Sequence, residues 1–270
     1  MSKSLEPQAG GFKVIEEIVE VAGLGLYVRY LHLALEAPTI VFLHDSLGSI
    51  ALWRHFPESL CRATGCNGLV YDRQGYGRSC SFSEARTPRY LHKEADILAE
   101  LLKQTGIAKA ILFGHSDGGS IALIAAAEYP QKIIGVVSEG AHVFIEDITL
   151  AGIREAKEQL ASTNLRERVA KYHGSKTDAV FSNWIDTWLS SEYQAFNMED
   201  CLPKINCPVL AIQGVDDEFG TSRQIDAIVS QVAGPAVGKL IENARHTPHK
   251  EAAAYTLKLV AEFVGSIINC

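Results

Sequence analysis

Three residues far apart in this chain have side chains that together could attack an acyl carbon: Ser116, an aspartate at 216 or 217, and His246. Ser116 lies in Gly114-His115-Ser116-Asp117-Gly118-Gly119, the frame Gly-x-Ser-x-Gly. A serine at a tight strand-to-helix corner leaves no room for side chains two positions away on either side, which the glycines satisfy. Its hydroxyl then stands above a helix N-terminus, where free N–H groups favour developing negative charge. A serine hydroxyl is a weak nucleophile at neutral pH and needs a base. An imidazole with an ordinary pKa of about 6.5 can take its proton and return it to a leaving group. An acid is then needed to fix the imidazole tautomer. Taken alone, Ser116 is also compatible with an N-cap after a buried strand. The order serine, aspartate, histidine, each after a strand, separates the two readings. His246-Thr247-Pro248-His249 could suggest a metal pair, but no third ligand stands at helical or hairpin spacing and Pro248 suits a loop entering a helix. No metal and no cofactor are expected.

These residues need a frame that brings strand ends together. Val14 to Val21 and Leu26 to Leu31 read as a hairpin turning at Ala22-Gly23-Leu24-Gly25. Thr39 to Leu43, Asn67 to Tyr71, Ala110 to Phe113, Ile133 to Ser138 and Pro208 to Gln213 are continuous apolar runs, as in strands buried on both faces, and Ala236 to Glu242 is a weaker last strand. Between them come helical patterns over Trp53 to Ala63, Leu91 to Gln104, the alanine-rich stretch after Ser116, Ser222 to Val232 and Lys250 to Ile268. Strand and helix alternate, which predicts an α/β fold with a doubly wound, mostly parallel eight-stranded sheet. Alternation stops over residues 141–202, where Ile153 to Leu160 and Leu165 to Tyr172 are charged helical stretches and Phe181, Trp184, Trp188 and Tyr193 form an aromatic one. A structureless connection of that length would be unusual, so an inserted helical cap is expected there, with residues 1–140 and 203–270 forming the core. The aromatic stripe reads first as the core of that cap and second as a substrate wall.

With 270 residues, 47% apolar and 21% charged, a packed body is expected. A net charge of −7 without a basic block argues against nucleic acid as a partner. No apolar span is long enough for a bilayer, and Met1 to Gly11 lacks a signal-peptide pattern. Six scattered cysteines, Cys61, Cys66, Cys80, Cys201, Cys207 and Cys270, without a Cys-x-x-Cys pair, point to free thiols and a cytoplasmic setting. The expected partner is a small-molecule substrate.

Four matches, in one order and at one spacing, resemble the α/β-hydrolase fold superfamily from Phe12 to Val264. They are the Ser116 elbow, Asp72-x-x-Gly75-x-Gly77-x-Ser79, Gln213-Gly214-x-x-Asp217, and Arg245-His246-x-Pro248-His249-x-Glu251. The resemblance implies a capped serine hydrolase with Ser116, Asp217 and His246 as its triad. It favours Asp217 by its spacing from Gly214, leaving Asp216 and Glu139 as rival acids. It implies an oxyanion hole built from the backbone N–H groups of Ser46 and Asp117. In His44-Asp45-Ser46, Asp45 replaces the glycine usual in that loop. Asp45, His115, Trp184 and Trp188 are the candidates to line a substrate site. His44 and His115 read as hydrogen-bonded structural histidines, and Asp72, Gly75 and Gly77 as a tight turn.

Three functions fit these residues. One is a serine-dependent hydrolase of an ester, lactone, thioester, amide or carbon–carbon bond. Another is a lyase or cofactor-free oxygenase using a His-Asp dyad, and the third is a ligand-binding signalling protein. Dehalogenase and epoxide-hydrolase chemistry on this scaffold would need an aspartate at position 116.

Overall fold

The computed structural model describes residues 12–269; Met1 to Gly11 and Cys270 lie outside the described residues. Its centre is an eight-stranded sheet. The strands are β1 (Lys13–Val21), β2 (Leu24–His32), β3 (Thr39–Leu43), β4 (Asn67–Tyr71), β5 (Ala110–His115), β6 (Ile133–Glu139), β7 (Val209–Gly214) and β8 (Ala236–Ile241). Their order is β1-β2-β4-β3-β5-β6-β7-β8. β1 and β2 form the antiparallel hairpin, β2 meets β4 antiparallel, and every later pairing is parallel. The hairpin turns on Ala22 and Gly23, at φ 51° and 80°, while Gly25 is already in β2. Two left-handed residues match the twist of a two-residue turn, so Ala22 accepts a conformation usually given to glycine.

The helices are α1 (Phe56–Thr64), α2 (Tyr90–Gln104), α3 (Asp117–Glu128), α4 (Asp147–Ser162), α5 (Leu165–His173), α6 (Thr177–Leu189), α7 (Ser222–Gln231), α8 (Pro248–Glu251) and α9 (Ala253–Ile268). Two expected helices are altered: Ile50–Trp53 is a separate tight turn before α1, and the last helix is broken at Ala252.

Period-two alternation sends the strands' side chains to two cores. Val41, Leu43, Ala110 and Leu112 join one, covered by α2, α3 and α7; Ile40, Phe42, Ile111 and Phe113 join the other, covered by α1 and α9. Each fully buried large apolar side chain contributes about 1.5–3 kcal/mol, which is why β3 and β5 are apolar on both faces. The chain leaves β3 toward β4 and leaves β5 toward β6, so the winding direction reverses between β3 and β5. Ligand crevices form at such switch points, at the carboxyl ends of the strands.

Between β6 and β7 the chain runs through α4, α5 and α6. It leaves and returns at one place, where Phe144 bridges Asn197 and Met198 N–H donates to the Val143 carbonyl at 2.8 Å. Val180, Phe181, Trp184, Ile185 and Trp188 of α6 are buried. His173 ties this helical segment to the sheet loops: its Nδ1 accepts from Gly77 N–H at 3.0 Å and its Nε2–H donates to the Leu47 carbonyl at 2.9 Å.

Steric constraint at the β5–α3 corner predicts opposite signs for two helical glycines. A β-carbon at Gly118 would meet the Leu43 carbonyl oxygen at 2.0 Å, whereas one at Gly265 in α9 meets nothing within 4 Å. Urea unfolding should show Gly118→Ala destabilised by more than about 2 kcal/mol and Gly265→Ala stabilised by roughly 0.5–1 kcal/mol. Equal effects would contradict the packing described.

Candidate active site

The switch point is where the chemical groups converge. Ser116, between β5 and α3, has φ 56° and ψ −120°. Gly114 and Gly118 permit this, since β-carbons there would lie 2.0 Å from the Gly118 and Leu43 carbonyl oxygens. The Ser116 Oγ is 3.0 Å from His246 Nε2. His246, in the loop after β8, has Nδ1 at 2.9 and 3.0 Å from the two carboxylate oxygens of Asp217. Asp217, after β7, also accepts the Phe219 N–H at 2.9 Å. Neighbouring Asp216 is exposed; its N–H is bound to the Ala244 carbonyl at 3.0 Å.

Electrostatics set the imidazole's basicity. Burial alone would lower the His246 pKa, but the Asp217 charge and hydrogen bond outweigh it and leave the value raised. Burial likewise opposes ionisation of Asp217, and the His246 and Phe219 contacts overcome it, holding this carboxyl below its usual range. The paired state is therefore Asp217 ionised beside an imidazole that readily accepts a proton.

Above Ser116 is a cavity of about 200 Å³, lined among others by Asp45, Ser46, His115, His142, Trp184 and Trp188. That is below the ~300–1,000 Å³ typical of drug-sized ligand sites. Among the described residues no lysine or arginine lines it. A larger groove of about 500 Å³ between residues 82–88 and α6 contains none of these groups.

A family model described as the alpha/beta hydrolase fold matches residues 38–206. The chain belongs to the alpha/beta hydrolase fold family. It is accordingly an α/β-hydrolase-fold enzyme. The human protein named serine hydrolase BPHL is 27% identical over 205 residues, covering 73% of this chain and 68% of that protein. A Salmonella paratyphi C protein named 2-succinyl-6-hydroxy-2,4-cyclohexadiene-1-carboxylate synthase is 32% identical over 106 residues, 39% of each chain. The enol-lactonase from Burkholderia xenovorans LB400 superposes with a TM-score of 0.73 at 20% identity, over 92% of this chain and 99% of that one, a likeness of fold.

Within this hydrolase fold, the residues flanking the corner are held by partners that local sequence does not reveal. Asp117 opens α3 with its carboxylate buried. Tyr90 OH donates to it at 2.9 Å, and Arg73 and Arg86 lie 3.4 and 3.7 Å away. Its side chain thus turns away from the cavity, while its N–H is at the first position of the helix, where no intrahelical acceptor exists. In the other loop, Ser46 is buried, and His44 is fixed between the Arg73 N–H at 3.0 Å and the Asp45 carbonyl at 2.8 Å. Asp45 is half-buried at the cavity edge, 3.8 Å from His115 Nδ1. Asp72 accepts from the Ile50 and Arg78 N–H groups, both at 2.7 Å, closing a tight turn through Gly77.

His246 and His249 turn to different carboxylates. His249 N–H and Nδ1 meet the two oxygens of fully buried Glu139 at 2.7 and 2.5 Å, and His115 Nε2–H donates to the His246 carbonyl at 2.8 Å. The ligand-capable atoms of His115, Glu139 and His249 lie within 4.8 Å of one another; hydrogen bonds engage His115 Nε2, His249 Nδ1 and both Glu139 oxygens, while His249 Nε2 is buried without a hydrogen-bond partner among the described residues. Burial pushes Glu139 up to about 7 and His249 down to about 3, as expected for a desolvated pair sharing one proton. Glu139 thus braces the histidine loop and does not reach His246. His142, after β6, also enters the cavity beside His246; nothing in its local sequence marks it.

Because Glu139 and His249 are each other's buried partner, removing one leaves the other uncompensated. Glu139→Ala and His249→Ala should each cost about 3–5 kcal/mol, and the double variant clearly less than their sum. Additive losses in chemical denaturation would show that the pair is not coupled.

Proposed function

We propose that this chain is a serine hydrolase that cleaves a small-molecule ester, lactone, thioester, amide or carbon–carbon bond through an acyl-enzyme. The observation that carries this reading is the continuous hydrogen-bonded line from Ser116 Oγ to His246 Nε2 and from His246 Nδ1 to Asp217. In it His246 removes the Ser116 proton as Oγ bonds to the substrate carbonyl carbon. The resulting oxyanion is received by the N–H groups of Asp117 and Ser46, and Asp217 stabilises the imidazolium. His246 then returns the proton to the leaving group, and water repeats the sequence to release the acid. Names of relatives support a hydrolytic role: serine hydrolase for the human protein and enol-lactonase for the structural neighbour. The helices within residues 141–202 act as a cap over the acyl site, with Trp184 and Trp188 as its substrate-facing wall. His115 and Asp45 also line the cavity. Among the described residues the thiols of Cys61, Cys66, Cys80, Cys201 and Cys207 are free, which fits a cytoplasmic setting, and no helix is long and apolar enough to cross a membrane.

A fluorophosphonate probe should label Ser116 in the native chain and fail on Ser116→Ala. An unlabelled but folded protein would remove the acyl-enzyme reading, and product formation by Ser116→Ala on its substrate would favour a His-Asp dyad instead. Asp217→Asn should lower kcat by about 10⁴-fold, while Glu139→Gln acts mainly on stability.

The pH profile follows from the His246 shift. Only neutral imidazole can accept the serine proton, and the paired His246 has a raised pKa. Activity should therefore fall as pH drops through a value above the ordinary 6.5. In Asp217→Asn the residual acid limb should move to lower pH; a limb that stays put would detach Asp217 from His246.

A further inference from the structure

His142 is buried in the cavity above Ser116, yet the proposed hydrolysis gives it no task. Its position is tightly specified. Ser120 Oγ, on α3, donates to the His142 carbonyl at 2.7 Å and accepts the His142 N–H at 3.0 Å. The imidazole Nε2 is 3.0 Å from the Phe219 carbonyl oxygen. A carbonyl can only accept, so Nε2 carries the proton and Nδ1 presents a lone pair. That Nδ1 is buried with no hydrogen-bond partner among the described residues. Burial lowers the His142 pKa, so the ring is neutral at pH 7. Trp188 packs against it in an edge arrangement at 5.2 Å between ring centres, and the His246 ring is 6.0 Å away.

The polar groups lining the cavity differ in exposure. The side chains of Asp45 and Glu218 are 29% and 33% exposed, Glu218 being paired with Arg245 at 3.2 Å, while His142 is 4% exposed. An acyl group stays in the chamber after the leaving group departs, where His142 is one of the groups around it. A cationic substrate group would be placed at the more exposed carboxylate of Asp45. It would be repelled at His142, next to the ring that becomes imidazolium during the reaction. The buried acceptor therefore suits a neutral donor.

We propose that His142 Nδ1 is a specificity-determining acceptor for a hydroxyl on the acyl chain, a few bonds from the scissile carbonyl, making small hydroxyacyl esters or lactones the preferred substrates. This rests on the serine-hydrolase reading. A site built to receive a substrate hydroxyl discriminates strongly against the analogue lacking it, because its own polar atom is then left unpaired.

The test compares p-nitrophenyl butyrate, α-hydroxybutyrate and β-hydroxybutyrate. In the native chain kcat/KM for at least one hydroxy ester should exceed that for butyrate by tenfold or more, after subtraction of spontaneous hydrolysis. The ratio should fall to about one in His142→Phe, which keeps a ring and loses the acceptor. It should be intermediate in His142→Asn, which keeps an acceptor near the Nδ1 position. A native ratio near one for both hydroxy esters overturns the proposal without any variant, as does a preference that survives in His142→Phe. Should Ser116 resist the fluorophosphonate and no ester be cleaved, the serine-hydrolase reading fails separately. The acceptor is then read by thermal shift with the free acids: a larger shift with a hydroxybutyrate, lost in His142→Phe, supports it, and equal shifts overturn it.

Discussion

A residue bearing a β-carbon and held at φ 56° is strained by roughly 1–3 kcal/mol, and Ser116 sits there because its surroundings leave no alternative. β5 is hydrogen-bonded on both sides, by β3 and β6, and α3 must begin immediately to cover the sheet with Ile121, Leu123 and Ile124. The corner between them is therefore compressed, with Gly118 against the Leu43 carbonyl and Gly114 against Gly118 itself. The burial of β5 and α3 sustains the strain, and the same compression brings the end of β3 alongside the nucleophile. The two N–H groups proposed to receive an oxyanion, those of Ser46 and Asp117, thus come from elements pressed together by one packing constraint.

The histidine faces a different problem, because it comes from a loop. His246 follows β8, an edge strand with Val237 and Leu240 half exposed, and cannot be positioned by burial alone. Polar contacts do that instead. His115 beside the serine holds the His246 carbonyl, Glu139 at the end of β6 holds His249, and Glu251 accepts the Arg245 N–H at 2.7 Å. The loop is anchored before and after His246 while its ring remains directed at Ser116 and Asp217. This division explains how two histidines three residues apart can serve different carboxylates.

The strands, the corner and the order of its chemical groups were legible in the sequence because they are set by short-range rules: continuous apolar runs, glycine spacing and the alternation of strand and helix. The preference for Asp217 over Asp216 came from the spacing that the resemblance supplies and not from such a rule. Side chains of adjacent residues diverge, and here the turn after β7 binds the Asp216 N–H to Ala244, leaving its side chain exposed and the Asp217 side chain facing His246. Three other features depend on residues distant in sequence and carry no periodic signal. These are the Arg73, Arg86 and Tyr90 clamp on Asp117, the Glu139–His249 pair, and His142 in the cavity. Glu139 was visible as a carboxylate after a strand, but its partner emerges only when the β8 loop folds over β6.

Trp184 and Trp188 illustrate why fold leaves substrate open. Helical spacing marks them as packing residues, and they are nearly buried; they also line the cavity above Ser116. Trp188 is tied down by donating Nε1–H to Tyr90 OH at 2.9 Å, and Tyr90 in turn holds Asp117. One hydrogen-bonded chain therefore runs from the helical segment over the cavity to the residue following the nucleophile. A change in α6 that repacks Trp188 alters the chamber wall directly and reaches the corner through Tyr90 and through His142, which Ser120 holds. The cavity wall is thus shared: Thr149 and Ile153 of α4 and Trp184 and Trp188 of α6 face the loops at the strand ends that carry Ser116 and His246, so a change in the helices alters the space without moving the strands.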